Sequence, residues 1–210
     1  GKDDYCEKAA AFFSKASMEY TDNSGTTAMH QAARNNHSEM LEVMIGKGAD
    51  VNITEDSPAE AGNTPLHTAC IYGSAEAAKV LKEHGADDTL QNVNGETPAH
   101  FAVMKKKFGG DLKVEERAAL LKQLNCLDTA RNDGKTPLML LQYIDFNTIT
   151  GLLPLFLEKG VDVNKKDANG NTALILNAQN NCYKGVVKEL VRAGADVNAT
   201  DSTGRNALHY

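Results

Sequence analysis

Tryptophan is absent from these 210 residues, and aromatics of any kind make up only 6%. Platforms for stacking sugars or nucleobases are therefore poorly supplied. Positive charge is also short: 22 Lys and Arg against 28 Asp and Glu leave a net charge of −6. A surface of that sign repels phosphate backbones and argues against nucleic acid or an anionic membrane as partner. No apolar run approaches the ~18 residues of a membrane span; the stretch 152–157 is interrupted by Pro154. Cys6, Cys70, Cys126 and Cys182 lie too far apart for a disulfide-held mini-protein or a paired metal motif. They read as small buried hydrophobes, with one or two disulfides left open if the chain matures in an oxidising compartment. What remains is a compact chain whose apolar share, 41%, suits a substantial core.

What the sequence does have is a period. Glycines at 25, 62, 95, 134, 170 and 204 are each followed two residues later by Thr27, Thr64, Thr97, Thr136, Thr172 and, as the exception, Asn206. The intervals between them, 37, 33, 39, 36 and 34, describe a 33-residue unit with insertions. A second signature closes each unit: Gly48-Ala-Asp-Val-Asn52, Gly85-Ala-Asp87, Gly160-Val-Asp-Val-Asn164 and Gly194-Ala-Asp-Val-Asn198. Thr before Pro suits an N-cap followed by proline in the first helical turn, where its missing N–H costs nothing. Ala-rich stretches then predict a first helix, and aliphatics such as Met40, Leu41, Met44 and Ile45 a second with one apolar stripe. The closing glycines predict left-handed C′ positions.

Carried on these two recurring motifs, the chain from Asp22 onward resembles the ankyrin-repeat family. The resemblance implies an all-α solenoid of helix-turn-helix units with β-hairpin-like connecting loops. The expected division is an N-terminal capping helix over 1–21, then a repeat domain over 22–210. Its repeats run 22–54, 59–91, 92–130, 131–166 and 167–200, with a partial one at 201–210. A lone unit cannot bury its stripe, so stability comes from stacking on neighbours. The third unit departs most: it lacks the closing Gly-Ala-Asp, puts Asn125 where a left-handed residue is expected, and carries a long loop around 105–110. It is therefore expected to be the weak link.

His30, His67, His100 and His209 recur with the period, yet equivalent atoms of stacked repeats stand ~8–10 Å apart, too far to share a zinc ion. They read as structural bonds to hairpin backbone. No nucleophile elbow, P-loop, HExxH or dinucleotide fingerprint is present, so neither catalysis nor a cofactor or metal is expected. The family resemblance implies an unidentified protein partner, bound on the concave face formed by hairpin tips and first helices, with no membrane insertion and a monomeric state. Counting seven and eight residues past each cap Thr places Arg34, Ile71, Tyr72, Met104, Lys105, Tyr143, Ile144 and Gln179 on that face, an apolar centre between polar ends. The alternative is a regulatory or targeting piece of a larger enzyme or of a secreted bacterial effector. The chain opens on Gly1, so the compartment is cytoplasmic by default and secreted or periplasmic if a signal preceded it.

Overall fold

In the computed structural model, which describes residues 20–58, 60–104, 111–180 and 183–210, ten α-helices and no strand occur among the described residues. They form consecutive pairs: α1 Ala28–Arg34 with α2 Ser38–Gly46, α3 Pro65–Tyr72 with α4 Ala75–Glu83, and α5 Pro98–Val103 with α6 Val114–Gln123. Then come α7 Pro137–Leu140, extended by the 3-10 turn Leu141–Tyr143, with α8 Phe146–Glu158, and α9 Ala173–Asn180 with α10 Lys184–Arg192. A last 3-10 turn, Ala207–His209, packs on α9. First helices stack in succession from α1 to α9, and second helices form a parallel row from α2 to α10. The expected capping helix over 1–21 falls almost wholly outside the described residues.

The core runs between the two rows. Ala33, Ala69, Ala99 and Ala102 are fully buried, and with no more than a methyl group each they let first helices approach closely. From the second helices come Leu41, Met44, Leu81, Leu120, Leu121, Leu152, Phe156 and Leu190. Cys70 lies buried in α3, its thiol pKa pushed up by burial, and Cys126 is half-buried; both are free thiols. Cys6 and Cys182 lie outside the described residues.

Successive hairpins are joined tip to tip by backbone bonds. Asp56 N–H donates to Gly25 O, Val93 to Ala61, Asn132 to Asn94, Ala168 to Asp133 and Ser202 to Asn169, at 2.8–3.3 Å. This strip explains why glycine recurs at the turn. At Gly134 φ is +81°, and a Cβ there stands 2.6 Å from Ala168 N. A side chain fails on both counts. The closing motif adds a second strand of bonds: Asn52 Oδ1 accepts from Asp87 N–H (2.9 Å) and Asn164 Oδ1 from Asp196 N–H (2.7 Å).

Where the sequence departs from its period, the structure departs too. Asn125 is not left-handed: among the described residues Asn36 alone has positive φ without being glycine, and α6 ends on Leu124 in extended conformation. The reason is Asp88, which stands where other units carry Val51, Val163 and Val197. Its carboxylate is buried, accepts the N–H groups of Asn125 (2.6 Å) and Cys126 (2.8 Å), and takes Lys82 at 2.6 Å. Burial works to raise its pKa, but Lys82 and the two amides hold it below the ordinary value. The second unit thus supplies the cap that the third lacks. Restoring the repeat's usual residue, Asp88→Val, is therefore expected to destabilise by about 2–4 kcal/mol in urea unfolding, since two amides and an ammonium lose their acceptor. A neutral or stabilised variant overturns this account.

In the fourth unit the insertion is absorbed by a short α7 and a 13-residue α8 that starts at Asp145, whose side chain caps Thr148 N–H at 3.0 Å. Pro154 interrupts the apolar run in sequence but not the helix; it lies on the exposed side of α8, where the missing backbone bond opens to water.

Candidate binding face

The face is built by the C-terminal ends of the first helices, and each helix is set by its cap. Thr64 and Thr97 lie extended ahead of Pro65 and Pro98, and their backbone N–H groups donate to Nδ1 of His67 and His100, each at 3.0 Å. Nδ1 is thus an acceptor, so Nε2 carries the proton. It donates onward to the next hairpin: His30 to Asn63 O (3.0 Å), His67 to Glu96 O (3.0 Å), His100 to Lys135 O (3.1 Å). Both ring nitrogens of His67 and His100 are spent on the fold. Burial pushes His30 and His67 down to about 4 and lowers His100 as well. His209, in the last unit, is exposed. Among the described residues no three His, Cys, Asp or Glu cluster as metal ligands do.

The expected face residues divide. Arg34 ends α1 in solvent, with its guanidinium 4.5 Å from the ring centroid of Tyr72, the last residue of α3. This cation–π contact joins two units across the surface. Ile71 and Tyr72 are half-buried. Burial raises the Tyr72 hydroxyl pKa, Glu60 adds to the rise, and Arg34 opposes it. Met104 caps α5 in extended conformation and packs partly against the core. Tyr143 is 51% exposed at the end of the 3-10 turn. Gln179 is exposed and donates to Asn171 Oδ1 at 3.1 Å. Lys105 lies outside the described residues.

Ile144 does not belong to the face. It is 4% exposed, because α7 is only four residues long and the chain leaves the following turn extended, carrying Ile144 into the core. Counting from the cap assumes a full first helix, which this unit lacks.

The count also misses Val93, 66% exposed at the third hairpin tip. A signal was available: two residues before each turn glycine stand Asn23, Glu60, Val93, Asn132, Ala168 and Ser202, and Val93 alone is a large aliphatic. At the neighbouring tip, charge is spent locally. Arg131 holds Asp133 at 2.8 Å and Glu96 at 3.2 Å, and this pairing keeps the Asp133 carboxyl well below its usual range.

Two models of ankyrin repeats match the chain, one over residues 11–60 and 56–102 and one over 144–210. The unmatched stretch between them holds α6, α7 and the irregular third closing turn. Neurogenic locus notch homolog protein 1 of Xenopus laevis is 34% identical over 136 residues, 64% of this chain and 5% of that protein. Protein phosphatase 1 regulatory subunit 12A of Rattus norvegicus is 35% identical over 116 residues, 55% of this chain and 10% of that protein. The chain thus spans no more than a tenth of the length of these relatives. A solved ankyrin repeat protein, EF0377, superposes with a TM-score of 0.69 at 27% identity, covering 90% of this chain and 92% of its own. Among the described residues no helix is long and apolar enough to cross a membrane. Ankyrin repeats are in general non-catalytic protein-interaction modules. By its matched repeats and by its fold, this chain is a member of the ankyrin-repeat family.

Proposed function

We propose that this chain binds a partner protein across the ends of its first helices and its hairpin tips, with Ile71, Tyr72, Val93 and Tyr143 as apolar anchors. Arg34, Met104 and Gln179 border them, and Lys105 extends the same register. The observation that carries this reading is exposure: Tyr143 is 51% and Val93 66% exposed although both side chains are large and mostly apolar. Aromatic anchors with a polar surround are the composition of interface hot spots. No chemistry of the chain's own is part of this reading.

The test begins with capture of the partner and its identification by mass spectrometry. Tyr72→Ala and Tyr143→Ala are then each expected to cost about 1–3 kcal/mol of binding, roughly 5- to 150-fold in Kd. Melting temperature should stay nearly constant, and Glu83→Ala on the outer row should leave binding unchanged. Substitutions that unfold the protein but spare binding assign these side chains to the core and end the proposal. A second reading, a regulatory or targeting segment of a larger enzyme, draws support from the rat relative named as a phosphatase regulatory subunit and from the small share of it that is matched. Sequence flanking Gly1 and Tyr210 discriminates the two.

A further inference from the structure

First helices meet through apolar residues: five positions past the cap Thr stand Ala32, Ala69, Ala102 and, in the fourth unit, Leu141, all buried. The fifth unit puts Asn177 at this register, and the repeat does not explain it. Asn177 is 3% exposed, yet among the described residues its Oδ1 meets no hydrogen-bond donor. One position further along, where the first three units carry Ala33, Cys70 and Val103, the fourth carries Gln142, also buried. Both amides line one cavity of about 10 Å³ between the two units, walled otherwise by apolar side chains such as Leu141, Ile149, Leu153 and Leu190. That is the space a single water molecule needs, and a buried amide oxygen without a donor is strongly unfavourable.

We propose that this cavity is a binding site for one structural water, which donates to Asn177 Oδ1 and accepts from Gln142 Nε2. An amide nitrogen carries two hydrogens, so Gln142 gives one to the water whatever the other does. Its oxygen is already placed: Gln142 Oε1 accepts from Asn180 Nδ2 at 2.5 Å. Asn180 lies about one turn beyond Asn177 on α9 and also donates to Leu176 O, at 3.0 Å. Gln142 is thus tied to α9 twice, directly through Asn180 and through the water to Asn177.

The place in the fold suits such a joint. α7 is four residues long and gives way to a 3-10 turn, so the fourth unit lacks the full first helix on which α9 would otherwise stack. A bridging water bonds across an irregular gap that two packed side chains do not close. No ionisable side chain lines the cavity, so a metal ion or an anion finds nothing there to balance its charge. Tyr143 follows Gln142 in the chain, so the joint also holds one anchor of the proposed binding face; the water itself does not depend on that reading.

The experiment detects the water directly, in water–amide NOE and ROE spectra of the full isotope-labelled chain. The side-chain NH2 groups of Gln142 and Asn177 are expected to show cross-peaks to water whose NOE and ROE have opposite signs, as a water held for longer than the protein's tumbling time gives. No hydroxyl lines the cavity, so these peaks are not relayed from one. Asn177→Leu, which installs the fourth unit's residue at this register, fills the space and is expected to abolish the Gln142 peak. Wild-type spectra without these cross-peaks, or with NOE and ROE of equal sign, overturn the proposal. A Gln142 peak that persists in folded Asn177→Leu overturns it as well. The wild-type spectra decide alone if the variant fails to fold.

Discussion

Arg117→Met is expected to unfold the protein at markedly lower urea concentration, with a loss of about 3–5 kcal/mol. Arg117 is fully buried in α6, and it bonds residues on both sides of the stretch 105–110. Nη1 donates to Ala102 O and Met104 O, both at 2.9 Å, Nε to Leu112 O at 3.2 Å, and Nη2 to Asp111. Two of these acceptors lie at the C-terminal end of α5, a six-residue helix whose last carbonyls have no partner within it. Methionine fills much of the volume but takes the donor from three carbonyls, those of Ala102 and Leu112 buried and that of Met104 partly so, and that desolvation penalty sets the size of the effect. Arg117→Lys is expected to fall between the two, since one ammonium does not reproduce a planar fork with donors on both sides. Burial lowers the Arg117 pKa and Asp111 opposes that. Asp111→Asn should therefore cost far less than Arg117→Met, because Asp111 is partly exposed and only one of four bonds is touched. A methionine variant within about 1 kcal/mol of wild type would show that the third unit does not depend on this side chain.

Arg117 and Asp88 also mark where the sequence stopped being legible. The period, the Thr–Pro caps, the turn glycines and the left-handed closing glycines appear in the structure in the register read from the residues, because each is a local requirement repeated several times. The third unit was expected to be weak, since its closing motif is missing and its sequence carries a long loop around 105–110 between its helices. The compensations are non-local. Asp88 belongs to the unit before the defect and acts 37 residues downstream, at Asn125. Arg117 looks like one more charge in Val-Glu-Glu-Arg, although its spacing to Leu120, Leu121 and Leu124 places it on the buried stripe. In each case one polar residue stood at an apolar register, and that was the available signal. Counting from the cap reached surface positions wherever the first helix was of full length, at Arg34, Ile71 and Tyr72. It failed at Ile144, where an insertion shortened α7 and turned the chain inward.

Acidification is expected to unfold the protein through its buried imidazoles well before its surface carboxylates are protonated. His30 and His67 are held down at about 4 by burial, against 6.5 for a free imidazole, and His100 is lowered too. Between those values the unfolded chain binds protons that the folded one refuses. Stability is therefore complete above about pH 6.5 and lost as pH falls from there toward 4. A shift of that size corresponds to about 3 kcal/mol for each of His30 and His67, as an order of magnitude, and His100 contributes in the same direction. Glu55 works the other way. Its pKa is raised from 4.5 to about 7, so its contribution is full at low pH and lost as pH rises through that interval. One carboxyl offsets about one imidazole, and the net effect on acidification remains a loss of several kcal/mol, comparable to the whole stability of a typical domain. The geometry states the reason. A protonated Nδ1 faces the backbone N–H of Thr64 or Thr97 donor to donor, so charging the ring breaks the cap and the link to the next hairpin together. Urea midpoints should be flat above pH 7 and fall steeply from pH 6 to 4.5, and imidazole NMR signals of the folded state should stay neutral to about pH 5. Imidazoles that titrate near 6.5 while the chain remains folded would sink the proposal that the cap histidines link stability to pH.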